Sequence, residues 1–123
     1  MNKERVIKKE IDWNIKENNQ LLRALLSLES PAEAKSFLRD LMTEGEIEEF
    51  GKRLEAARLL SRDTQYASII ELTGLSSTTI ARISKWLKGS LGGYRLILSR
   101  LYQSNLHHHN PTKLGKGLSL KRT

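Results

Sequence analysis

The chain has 123 residues, 38% hydrophobic and 28% charged, with a formal net charge of +7, which suits one small domain with a modest core. It contains no cysteine, so disulfides, thiolate zinc sites and cysteine nucleophiles are excluded. No stretch has the pattern of a signal peptide or a membrane span, and the cytoplasm is the expected compartment.

Residues 1–12 are dense in charge, with Val6, Ile7 and Ile11 as the apolar anchors, and read as a weakly helical or frayed arm. From 14 to 29 the residues Ile15, Leu21, Leu22, Leu25, Leu26 and Leu28 predict an amphipathic helix whose leucine stripe is too wide for one partner. Ser30-Pro31 restarts the chain, with Ser30 as N-cap, Pro31 at the first helical position and Glu33 in the first turn. This second helix is expected to run to about Met42 and to pack through Ala34, Phe37, Leu38 and Leu41.

A third helix is predicted from Thr43, which with Glu46 fits a capping box, to about Arg62. Its residues Ile47, Phe50, Leu54 and Ala57 form a seam that suits another helix of the same or a partner chain. The run from Tyr66 to Lys88 then reads as a helix-turn-helix. Gly74 supplies the positive φ that a tight interhelical turn demands, and Ser76 is the N-cap of the second helix.

Ile69, Leu72, Leu75, Ile80, Ile83 and Leu87 are the expected packing positions of this motif. Ser77, Thr78, Ala81, Arg82 and Lys85 fall on another face. They are small, hydroxylated or cationic, as suits a helix lying in a major groove. The plainer alternative is a helical hairpin with a solvated polar face, and charge placement argues against it. Residues 1–73 carry 12 basic and 14 acidic side chains, whereas residues 74–123 carry nine basic and none acidic. A merely soluble surface mixes its signs; unopposed cations suit a polyanion.

Gly89 is the expected stop of the motif, and a last helix over 90–102 is predicted to present Leu91, Tyr94, Leu98 and Leu101 on one face. Trp86, Tyr94 and Tyr102 are expected in the core, which leaves no aromatic platform for RNA. Residues 105–123 lose periodicity and read as a basic disordered tail, either a source of phosphate contacts or a solubilising extension. His107, His108 and His109 lie within it without the fixed geometry of a metal site.

Thr43 to Leu98 resembles the tryptophan repressor superfamily, especially its YerC/YecD-type branch, through the blocks TEGEIEEFGKRLEAARLL and YASIIELTGLSSTTIARI, with LLRALLSLESPAEAKSFLRDL fitting the preceding helical pair. The resemblance implies an all-α fold of about six helices in an intertwined homodimer that presents two recognition helices to double-stranded DNA. Arg53 and Arg82 match the two arginines with which the tryptophan repressor grips its corepressor. Ile83 stands where that pattern has glycine, however, and Trp86 where it has serine, which implies a pocket filled by the chain's own side chains.

No phosphate-binding glycine loop, metal-ligand spacing or nucleophile elbow occurs, so no catalytic residue, no metal and no cofactor is expected. The expected organisation is an arm over 1–13, a helical DNA-binding and dimerisation domain over 14–104, and the tail over 105–123. The expected function is that of a homodimeric, sequence-specific transcriptional regulator, without membrane association. Its DNA-binding residues would be Tyr66, Ser76, Ser77, Thr78, Thr79, Ala81, Arg82, Lys85 and Lys88, and its possible ligand pocket Arg53, Arg82, Ile83 and Trp86. A repressor gated by tryptophan or another small effector, and a helical protein-interaction scaffold, are the alternatives; the sequence names no effector.

Overall fold

A computed structural model describes residues 10–103, and the described chain is all-α. The order is α1 (Lys16–Leu26), α2 (Pro31–Leu41), α3 (Glu44–Ser61), α4 (Tyr66–Thr73), α5 (Ser77–Lys88) and α6 (Gly93–Leu98), the last running on into a π-helical turn, Ser99–Gln103. The expected basic tail with its three histidines, and most of the expected N-terminal arm, lie outside the described residues. Two compact units meet in sequence between Thr43 and Glu44.

The first unit contains α1 and α2. Asp12 organises the approach to α1, its Oδ1 accepting from the Asn14 N–H at 2.9 Å and its carbonyl accepting from Asn18 Nδ2 at 3.0 Å. The helix is shorter than the predicted 14–29. After Leu26 the chain tightens, the Ser27 and Leu28 N–H groups donating to the carbonyls of Ala24 and Leu25 three residues back. Pro31 keeps α1 and α2 from running on as one helix, because the residue before proline is driven out of the helical region; Ser30 is extended, with φ −154 and ψ 160. Ser30 Oγ then accepts from the Glu33 N–H at 3.1 Å while Glu33 Oε1 accepts from the Glu29 N–H at 2.9 Å, a reciprocal cap that uses the residue before Ser30. Neither α1 nor α2 contains a buried residue.

The second unit has a core. Ala56, Ala57, Ile69, Ile80 and Ile83 are fully buried, Leu75, Leu87 and Leu98 nearly so, and Leu54, Leu59, Leu60 and Tyr94 pack around them. Two consecutive alanines on α3 leave room for the isoleucines of α5 to approach, since interhelical distance follows the side chains at the contact. The expected seam on α3 is thus used only in its C-terminal half: Ala57 is buried and Leu54 packs on the core, but Phe50 is exposed.

α3 ends in a motif that its sequence does not announce. The Asp63 N–H donates to the Leu60 carbonyl and the Thr64 N–H to the Leu59 carbonyl, both at 3.0 Å. Asp63 takes the left-handed conformation, φ +62, that closes such a Schellman turn. The last helix also departs from expectation. It begins at Gly93, because Gly92 turns the chain at φ +74, and this leaves Leu91 97% exposed where a core position was expected. Leu72 and Leu101 are likewise exposed, whereas Leu98 is buried and Tyr94 half-buried as predicted.

Candidate nucleic-acid interface

The helix-turn-helix is built by polar contacts at its turn. α4 closes on Gly74, whose N–H donates to the Ile70 carbonyl at 2.8 Å with φ +77, a conformation that only glycine adopts freely. Thr73, 6% exposed, braces the same turn: its hydroxyl donates to the Ile69 carbonyl at 2.7 Å and accepts from the Leu75 N–H at 3.2 Å. Ser76 then caps α5, its Oγ accepting from the Thr79 N–H at 3.1 Å, with the Thr79 hydroxyl also 3.1 Å away. The N-cap assignment from sequence holds; the brace from Thr73 was not foreseen, although a hydroxyl directly before a turn glycine was its available signal.

With Ile80, Ile83, Ser84 and Leu87 turned into the core, the rest of α5 faces outward. Ser77, Thr78, Ala81, Arg82, Lys85 and Lys88 are exposed, and Thr79 is half-buried behind Ser76. Arg82, Lys85 and Lys88 enter no ion pair among the described residues, whereas Arg53 and Arg58 on α3 pair with Glu49 and Glu55. Tyr66 opens α4 and shares a shallow cleft with Asp63, Ser84, Leu87 and Lys88.

The four residues matched to the corepressor pocket have separate situations in this single chain. Arg53 is held on its own helix, Nε donating to Glu49 Oε2 at 3.2 Å and the guanidinium lying 5.5 Å from the centre of the Phe50 ring. Ile83 is fully buried in the core, Arg82 is exposed, and Trp86 is 48% exposed. Trp86 and Tyr102 are therefore not core residues of this chain, contrary to expectation; for Trp86 the reason is that α5 turns its isoleucines and not its indole into the core. Tyr102 instead lies beneath the Arg58 guanidinium, 5.6 Å from its ring centre, while Arg58 binds Glu55 through two hydrogen bonds of 2.8 and 2.7 Å. Those bonds hold the Glu55 carboxyl below the usual carboxylate range, and burial pushes the Tyr94 hydroxyl up.

Among the described residues no three acidic or histidine side chains gather as a metal site, and no helix is long and apolar enough to cross a membrane. What the surface offers is a capped helix bearing hydroxyls and unpaired cations.

Residues 16–102 match the model of the family described as Trp repressor protein. The chain is 36% identical over 89 residues to the uncharacterized protein YerC of Bacillus subtilis, an alignment spanning 72% of this chain and 86% of that protein. Its fold is similar to the crystal structure of a TrpR-like protein from Eubacterium eligens, with a TM-score of 0.68 at 35% identity, covering 72% of this chain and 92% of the other. The chain belongs to the Trp repressor family, as the TEGEIEEFGKRLEAARLL and YASIIELTGLSSTTIARI blocks predicted.

Proposed function

We propose that this protein is a sequence-specific, DNA-binding transcriptional regulator that acts as a homodimer and without catalysis. The observation that carries the reading is the outward face of α5. It begins at a serine-capped N-terminus and offers Ser77, Thr78, Ala81 and Lys85 to base edges, with Arg82 and Lys88 unpaired beside them, on a stretch with no acid after Glu71. Phosphate contacts from such cations supply affinity, and small polar side chains on a groove-bound helix supply discrimination. Tyr66 and the first turn of α4 would meet the flanking backbone.

The homodimer is supported by α1 and α2, on which Leu21, Leu22, Leu25, Leu26 and Leu41 are exposed. Residues 14–104 would then form the DNA-binding and dimerising body, working in the cytoplasm. Tryptophan is not the proposed effector. Ile83 fills with core the position at which the family's tryptophan-binding pattern has glycine, and Arg53 already has a carboxylate and an aromatic ring as partners.

Selecting bound duplexes from a random pool tests the reading. A palindromic site is expected, its half-sites about 10 base pairs apart or a multiple of that; a pool without enrichment would refute sequence-specific binding and favour the scaffold alternative. On the selected duplex, Thr78→Ala and Lys85→Ala should each cost roughly 1–3 kcal/mol of discrimination against random DNA. L-Tryptophan should give no heat of binding and leave DNA affinity unchanged, and tighter DNA binding on its addition would restore the ligand-gated alternative.

A further inference from the structure

Arg95 belongs to the acid-free half of the chain, where any cation is a candidate for a DNA phosphate. Its guanidinium is engaged elsewhere. Nη1 donates to the Leu87 carbonyl at 2.6 Å and to the Gly89 carbonyl at 2.8 Å. Leu87 lies in the last turn of α5 and Gly89 is its C-cap, so these carbonyls belong to the group that a helix end leaves without partners. A cation there also opposes the negative end of the helix dipole.

The backbone between the two helices is shaped for this contact. Gly89 leaves α5 extended, at φ −76 and ψ 176, so no left-handed turn closes the helix; its N–H reaches the Trp86 carbonyl, and Arg95 takes those of Leu87 and Gly89. Gly92 then redirects the chain into α6 at φ +74, and a Cβ on it would lie 3.1 Å from Arg95 Nη2. Glycine at 92 therefore serves twice, through its backbone conformation and through the room it leaves for the guanidinium.

We propose that Arg95 is a positioning residue for DNA recognition: by tying the C-terminal end of α5 to α6 it sets the angle at which Ser77, Thr78, Ala81 and Lys85 meet the groove. This rests on α5 being the recognition helix. The N-terminal end of α5 is held by Ser76 and, through the turn, by Thr73. Arg95 holds the other end from outside the helix. Its Nη1 donates to two carbonyl oxygens, and this, not burial, sets it apart from Lys85 and Lys88, which are exposed as it is and unpaired among the described residues.

The test compares Arg95→Met, Arg95→Lys and Lys88→Met in the full chain, each titrated with the selected duplex and with random duplex over a salt series. Arg95→Met should weaken binding to the selected duplex about tenfold, the scale of one displaced base contact. It should leave random-duplex affinity within about twofold and the salt slope unchanged. Arg95→Lys, which keeps a cationic donor, should recover part of the preference, and Lys88→Met should weaken both duplexes and lower the slope by about 1. Equal losses on both duplexes with a flatter slope for Arg95→Met would make Arg95 a phosphate contact and overturn the proposal. A lowered thermal midpoint with an unchanged preference ratio in the folded protein would make it merely structural and overturn it equally.

Hydrogen exchange reports the clamp without DNA. Amides of residues 86–89, the last hydrogen-bonded ones of α5, should exchange faster in Arg95→Met while those of 79–81 do not, and unaltered exchange would mean that the contact holds nothing in place. If the unmodified chain shows no duplex preference, the regulator reading fails and takes the positioning role with it. The exchange measurement still decides whether Arg95 secures the end of α5, so the two failures are distinguishable.

Discussion

α1 and α5 are helices of nearly equal length, each with one apolar face, and they have opposite fates. On α5, Ile80 and Ile83 are fully buried and Leu87 nearly so; on α1, Leu21, Leu22 and Leu25 are close to half exposed and Leu26 is 78% exposed. The difference teaches what periodicity reports: which face seeks cover, not whether the same chain supplies it. α5 is covered because a turn held by Thr73 and Gly74 folds it back and because Ala56 and Ala57 let it approach α3 closely. The stripe on α1 has no such provision within its own unit, where α2 contains no buried residue either.

The contrast can be broken most severely at Ile80. Ile80→Asp places a charge in a fully buried site, a cost of several kcal/mol against a total stability of about 5–15, and circular dichroism should show unfolding at every protein concentration. Leu25→Asp should act through association instead. The unmodified chain is expected to sediment at about 28 kDa, twice its 14.0 kDa, with an unfolding midpoint that rises with concentration, and the variant should lose both properties. A midpoint independent of concentration in the unmodified chain would remove the proposed second copy.

Smaller effects sharpen the same comparison. Thr73→Val keeps the side-chain shape but leaves the Leu75 N–H without its acceptor in a buried turn, which should cost about 1–3 kcal/mol in denaturant unfolding. The smallest effect is that of pH. Because Arg58 lowers the folded pKa of Glu55, the contribution of this pair is fully present above the unfolded glutamate pKa and is lost as pH falls through the folded value. Both partners remain partly solvated, so the loss should stay within about 1 kcal/mol. Glu55→Gln should flatten that acid limb; an unchanged limb would assign it to other carboxylates.

Local chemistry made much of this fold legible before any coordinates. Ser30-Pro31, Gly74 and Ser76 announce helix boundaries because each acts within a few residues of itself, and the structure places all three as read. Features settled by distant partners were not legible. Leu72, Leu91 and Trp86 occupy apparently good packing positions yet are exposed, since the direction of a helix face depends on what lies opposite. Asp63 carries no mark of its left-handed turn, and Arg95 reads as one more free cation until its two carbonyl acceptors are seen. At the candidate interface, the outward face of α5 was readable from spacing; the turn brace and the contact of Arg95 with the helix end were not.

The core of the second unit draws on residues from Leu54 to Leu98, so it cannot close until that last leucine has been synthesised. The α1 leucines precede it by 72 positions, counted from Leu26 to Leu98. At roughly 5–20 residues per second, the stripe leaves the ribosome several seconds before the core is complete. Throughout that interval the nascent chain presents an uncovered leucine stripe with no folded body behind it, so the proposed pairing with a second copy would compete with aggregation from the start.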